Sequence, residues 1–266
     1  MNSARASSAA PAGLWGWAWS GALTGLLVGV LSMAPARWLA ALVRQASNQQ
    51  LEMNDARGTL WQGSTQLVFS GGEGSRDAVK LPGMLQWQMQ PGWGGLSVQL
   101  RADCCTVQPL QLRFEPLGWD GLRLRLDDSQ SHWPAGLLSG LGTPWNTMQP
   151  QGQLSFTSRA LVLEWSPSRL QLAGTLQMDA KDISSRLSTL QPMGSYRVSL
   201  IGGAATRLQL ETLEGSLQLS GQGQWYGHTL RFEGEASAAA DRIDALSNLL
   251  NIIGRREGAR SIIKVG

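Results

Sequence analysis

The sequence predicts a mainly β protein: a single N-terminal helix followed by one large, curved, mostly antiparallel β-sheet domain. Three observations carry that expectation. No charge occurs between Arg5 and Arg37, and Leu14 to Met33 reads as one apolar helix. From Leu51 onward the apolar period changes to two, which puts alternate residues on one face of a strand. Finally, 32 glycines in 266 residues, with only 15% charged residues, suit short strands and tight turns.

In chain order, residues 1–13 are rich in Ser and Ala and have no apolar period, so a short disordered tail is expected. Residues 14–34 suit a transmembrane anchor, because a bilayer core needs about 20 mostly apolar residues in a helix. Trp15, Trp17 and Trp19 crowd one end and Trp38 lies past the other, as indoles at a membrane–water interface do. Pro35 ends or kinks the span. A cleaved signal is the competing reading, since Ala34-Pro35-Ala36 is a small-residue triplet. The proline is unfavourable there, and the apolar stretch is longer than an ordinary signal core. Arg37 and Arg44 follow the span, so positive charge does not favour an inside N-terminus. A long following domain translocates largely regardless of its charge. Gly21, Gly25 and Gly29 recur on one helix face, a spacing that lets two helix backbones approach, and they are the candidate helix–helix contact.

Residues 35–266 are expected to form one β-rich domain. It opens with a short helix near 36–46, where Trp38, Leu39, Leu42 and Val43 line one side. Half-buried strands follow at Gln66–Phe69, Met84–Met89, Leu96–Leu100, Leu110–Phe114 and Leu122–Leu126. A recurring element, glycine then leucine then a large apolar residue at alternate positions, occurs at Gly83–Trp87, Gly152–Phe156, Gly174–Met178 and Gly215–Leu219. In each copy the glycine is expected to make a turn and the two apolar side chains to share a face. Two segments break the strands: one near 134–141, read as a short helix or loop, and Asp182–Leu190. Near the end Ile243, Leu246, Leu249, Leu250 and Ile253 take helical spacing. A helix over 242–253 is expected, with Asp241 as its N-cap and Gly254 as its stop. Ser261 to Val265 reads as a last strand.

Catalytic signals are poor. His132 and His228 lie far apart beside turn residues, and an isolated histidine does not make a site. No phosphate loop, zinc helix or nucleophile elbow occurs. Asp127-Asp128 and Glu233/Glu235 read as solvated strand ends. Net charge is +3 with dispersed arginines, which gives no case for nucleic acid, and the tryptophans alternate with apolar positions and read as core. Cys104-Cys105 is too small a set for zinc. On a regular strand the two thiols point to opposite faces. A bond between these neighbours needs a distorted turn and, like a bond to another chain, an oxidising compartment; two small buried residues in a strand end are the other reading. The expectation is a membrane-anchored domain that binds or scaffolds, with no enzyme activity, no cofactor and no metal.

Several stretches together resemble the type II secretion system protein N family, also called general secretion pathway protein N. They are Ala56-Arg-Gly-Thr-Leu-Trp-Gln-Gly63, Leu81-Pro-Gly-Met-Leu-Gln-Trp87, Ile183 to Arg197, and Leu249-Leu-Asn-Ile-Ile-Gly-Arg-Arg-Glu-Gly258. The resemblance covers nearly the whole chain. It implies a single-pass inner-membrane protein of a Gram-negative bacterium, with residues 1–13 cytoplasmic and the β-rich domain periplasmic. The implied role is an accessory one, supporting assembly or stability of the platform and pseudopilus that export folded proteins across the outer membrane. The implied partners are other inner-membrane components of that system. An alternative of another class is a periplasmic lipid-binding or lipid-transfer module with an AsmA-like apolar groove. Full cover of the sheet's apolar face by the domain's own helices favours the scaffold; an open groove favours lipid.

Overall fold

The computed structural model describes residues 14–167, 169–226 and 229–266; the tail at 1–13 and His228 lie outside them. Helix α1 (Leu14–Ser32) leads through Pro35 into α2 (Ala36–Ala46). The chain then enters β1 (Leu51–Gly58), β2 (Gln62–Ser70), β3 (Ala78–Lys80), β4 (Leu85–Gly92) and β5 (Gly95–Ala102). After these come β6 (Leu110–Leu117), β7 (Gly121–Leu126) and β8 (Ser129–Pro134). A 3-10 helix (Ala135–Leu141) and α3 (Trp145–Met148) separate β8 from the two longest strands, β9 (Gln151–Ser166) and β10 (Arg169–Ser184). The chain ends with β11 (Gly194–Ile201), β12 (Arg207–Gly215), β13 (Leu217–Tyr226), β14 (Thr229–Ala238), α4 (Ile243–Ile253), β15 (Arg255–Glu257) and β16 (Arg260–Val265).

All strands join one 16-stranded antiparallel sheet, ordered β1-β2-β4-β5-β6-β7-β9-β10-β11-β12-β13-β14-β16-β15. It is essentially a meander, the topology that short Gly-containing connections favour. Two strands are shared lengthwise. The first half of β9 pairs with β8 and the second half with β7, while β2 holds both β3 and β4. The expected helices at 36–46, 134–141 and 242–253 are present, the second as a 3-10 helix.

The structure corrects three local expectations. Gly174 makes no turn: it lies inside β10 at φ +82°, where a Cβ would come within 2.2 Å of the Ala160 carbonyl oxygen. There β9 carries one residue more than β10 between Thr175↔Arg159 and Ala173↔Val162, a bulge that bends the ladder. Gly152 likewise falls within β9 rather than at a turn. Asp241 does not cap α4. Arg242 holds the N-cap position with no side-chain cap bond, and the Asp241 carboxylate accepts from Arg242 Nε at 3.1 Å.

Alternation puts a buried core on one face of the sheet. Leu154, Ala180, Tyr196, Leu217 and Ala236 from the strands meet Leu246, Leu249 and Leu250 of α4 and Ala135 of the 3-10 helix. A second cluster joins Leu81, Ala102, Cys105 and Leu137, and Trp133 packs against both. Full burial of one leucine is worth about 1.5–3 kcal/mol, so α4 alone contributes several such increments. The loop after β10 locks this plug. Ser185 Oγ donates to the Met148 carbonyl at 2.6 Å, and Ser188 Oγ donates to the Ala245 carbonyl at 3.1 Å.

Among the described residues, no helix is long and apolar enough to cross a membrane. The expected span is therefore helical but does not meet that standard. The α1 helix has 19 residues, about 28 Å at 1.5 Å per residue. Its leucines and valines are interspersed with Trp17, Trp19, Gly21, Gly25 and Gly29, and the side chains of residues 14–16 lie outside those described.

Candidate functional site: an apolar trough beside the helix plug

The plug covers only part of the inner face. On β10, Met178 and Ala180 lie under it, and Leu172 and Leu170 continue the same face toward the other end of the strand. Cross-strand register extends this into rows. Leu96, Phe114, Leu124, Leu163 and Leu172 stand side by side, and Pro116, Leu122, Trp165 and Leu170 form the next row outward. These residues belong to neither buried cluster. Leu172 is buried, Leu96, Phe114, Leu124 and Leu163 are half-buried, and Pro116, Leu122, Trp165 and Leu170 are exposed. The result is an apolar strip of sheet face, the trough, that lies beside the plug, runs to the hairpin end and can accept an apolar partner.

The opposite face is polar and locks the register. Arg123 pairs with Glu164 at 2.7 Å and with Glu115 at 3.6 Å, and Arg125 reaches Glu115 at 3.2 Å. Farther along, Arg197 grips Asp179 with two bonds, Nε to Oδ1 at 2.7 Å and Nη2 to Oδ2 at 3.0 Å. Hydrogen bonding from Arg197 is the leading cause that holds the Asp179 carboxyl below the usual aspartate range, against the opposing effect of burial. The same contact raises the Arg197 guanidinium. On the inner face, burial pushes the Tyr196 phenol up. Its Oη has no hydrogen-bond partner among the described residues.

The other candidate residues do not converge. Gly21, Gly25 and Gly29 line α1 with nothing within 4 Å of where their Cβ atoms would be. Asp127 lies 3.6 Å from Arg113, and Asp128 accepts from the Ala160 amide at 2.7 Å. Glu233 and Glu235 pair across strands with Lys264 and Arg260. Each carboxylate thus has a structural partner. His132 Nδ1 lies 2.8 Å from Ser155 Oγ on the neighbouring strand. No carboxylate bonds to His132 among the described residues, so the pair lacks the third group that orients a catalytic histidine. Cys104 and Cys105 bring their sulfurs to 2.00 Å in the loop between β5 and β6, with Cys104 exposed and Cys105 buried. Among the described residues, no three His, Cys, Asp or Glu side chains are grouped to hold a metal.

Sequence reasoning missed two exposed aromatics. Trp93 and Trp119 are not core: both stand fully exposed on hairpin tips, at 109% and 105%. Glycine on either side of Trp93 and next to Trp119 was the available signal, because such turns supply no neighbours to cover an indole.

A single meander sheet with an uncovered apolar face beside a helical plug is an architecture that suits binding or scaffolding. The comparisons name the family. The family model described as type II secretion system (T2SS), protein N matches residues 49–263, and the chain belongs to that family. That makes it a type II secretion system component, in a family of accessory parts rather than known enzymes. No curated protein and no solved structure matches the chain.

Proposed function

We propose that this protein is an inner-membrane accessory component of the type II secretion system, supporting assembly or stability of the platform and pseudopilus. In this reading α1 is a single-pass anchor, residues 1–13 are cytoplasmic and residues 35–266 lie in the periplasm. The observation that carries the anchor is the exposure of α1 on all sides: Trp17, Leu23, Leu26, Leu27 and Val28 are each more than half exposed. An apolar helix whose side chains are left uncovered by the described residues needs lipid or another helix around it. Gly21, Gly25 and Gly29 supply the face for such a helix. A periplasmic location also supplies the oxidising conditions under which Cys104 and Cys105 bond.

The open trough favours a second reading, a lipid-binding module, because the domain's own helices leave part of the apolar face uncovered. One experiment separates the two. The full chain is captured from solubilised inner membranes and its partners are analysed by mass spectrometry for proteins and lipids. Secretion-platform proteins without stoichiometric lipid support the scaffold. Stoichiometric phospholipid without those proteins overturns it in favour of the lipid module.

A further inference from the structure

Among the described residues, the exposed aromatic side chains of the strands and their hairpins are Trp93, Trp119, Trp165 and Tyr226, and Trp38 on α2 is exposed as well. The four on strands and hairpins sit at one edge. Trp93 tips the β4–β5 hairpin and Trp119 the β6–β7 hairpin, Trp165 ends β9, and Tyr226 ends β13. At the opposite edge the loops expose no aromatic among the described residues. The aromatic edge is also the one that meets α1. Trp61, in the β1–β2 turn, donates Nε1–H to the Leu31 carbonyl, and the Leu60 amide donates to the Ala34 carbonyl at 2.7 Å.

Register shows how far the tips reach. Gly58, Gly63, Trp87, Leu100 and Leu110 lie abreast across β1, β2, β4, β5 and β6. Past that line the β4–β5 hairpin runs on from Trp87 to Gly92, and the β6–β7 hairpin from Leu110 to Leu117. At about 3.3 Å per residue, these overhangs are roughly 15–25 Å. Two fully exposed indoles therefore project beyond the turn that holds the end of α1. Indole combines a large apolar body with one N–H donor, the chemistry that partitions into the head-group layer of a bilayer.

We infer that the Trp93 and Trp119 hairpin tips insert into the interfacial head-group layer of the same bilayer that holds α1. They fix the sheet as a second point of attachment, with the hairpin end of the trough facing the lipid. This rests on the anchor reading of α1 given above.

The test uses the full chain in nanodiscs of phosphatidylethanolamine and phosphatidylglycerol. An environment-sensitive fluorophore is placed singly at Gly94→Cys, Asp120→Cys, Leu26→Cys and Glu73→Cys. Gly94 has open space around a Cβ, Asp120 is exposed beside Trp119, Leu26 reports on α1, and Glu73 lies in the loop at the opposite edge. The bonded Cys104–Cys105 pair does not react with a thiol label in the absence of reductant, and the unsubstituted chain is the blank. Quenching is read with nitroxides on the lipid, near the head group and deep in the chain.

The expected result is head-group quenching at positions 94 and 120, deep quenching at 26 and none at 73. In Trp93→Ser/Trp119→Ser the signal at 120 is lost while that at 26 stays. Quenching at 26 alone overturns the hairpin insertion and leaves the anchor intact. No quenching at 26 overturns the anchor and the insertion with it. Equal quenching at 73 overturns the edge-on placement. Persistence of the signal at 120 in the double variant overturns the role of the two indoles.

Discussion

Trp61 donates its indole N–H to the carbonyl of Leu31 at 2.8 Å, tying the last turn of α1 to the first β-turn of the sheet. A helix leaves its final carbonyls short of donors in the next turn, and this bond adds a second donor to a carbonyl that also accepts from the Ala34 amide at 3.4 Å. A second bond, from the Leu60 N–H to the Ala34 carbonyl two residues past the helix, ties the connection to the same turn. Helix and sheet therefore meet at a defined joint.

Loss of that joint is measurable. Trp61→Phe keeps an aromatic ring, though a smaller one, and removes the donor, at an expected cost of about 0.5–1.5 kcal/mol for the hydrogen bond. The Leu60 amide should then exchange its hydrogen roughly 2- to 10-fold faster, which hydrogen-exchange mass spectrometry on the full chain resolves. An unchanged exchange rate would mean that other contacts hold the joint.

The plug should be costly to hollow out. Leu246 and Leu250 are completely buried, whereas Ile252 on the same helix is 47% exposed. Leu250→Ala is expected to destabilise the domain by about 2–5 kcal/mol, as large-to-small core substitutions do. Ile252→Ala should cost about 1 kcal/mol or less. Urea unfolding followed by tryptophan fluorescence compares them, and equal midpoints would show that α4 is not part of the cooperative core.

Tyr196→Phe should be neutral or stabilising. The hydroxyl is buried with no partner among the described residues, and an unsatisfied buried polar group costs on the order of 1–3 kcal/mol. Tyr196→Ala, by contrast, removes a whole core ring at about 3–5 kcal/mol. A fall in the urea midpoint of Tyr196→Phe would reveal a partner for the phenol.

The Asp179–Arg197 pair predicts a pH dependence of known sign. The folded-state carboxyl lies below the ordinary aspartate value of 3.8, so the unfolded chain binds the proton more readily. Stability from this pair is fully present above about pH 4 and is lost as pH falls through the folded value. In Asp179→Asn that part of the acid sensitivity should disappear, at a neutral-pH cost of about 1–3 kcal/mol for a charge-assisted bond. Urea midpoints measured from pH 7 down to pH 3 for both proteins test it, and parallel curves would assign the acid loss to other carboxylates.

The sequence by itself determined the local order. Period-two alternation in Leu96–Leu100, Leu110–Phe114 and Leu122–Leu126 specifies strands, because only a pleated chain puts every second residue on one side. The helical spacing of Leu246, Leu249 and Leu250 specifies the plug for the equivalent reason. Gly254, read from the chain as the stop of α4, is where the helix ends. What the residues could not decide was which part of the apolar face those helices would cover. A leucine under α4 and a leucine in the open trough have the same alternating neighbours, and only long-range packing separates Leu217 from Leu124. The same holds for the tryptophans. Trp87 is buried against the β1–β2 turn, and Trp93, six residues later, is fully exposed. Trp87 falls in an expected strand and Trp93 between glycines in a turn, but only strand register shows that one lies inside the sheet and the other is carried past its edge. Gly174 is the backbone counterpart: a turn former by composition, it became a bend within β10 because the Ala160 carbonyl across the ladder leaves no room for a side chain.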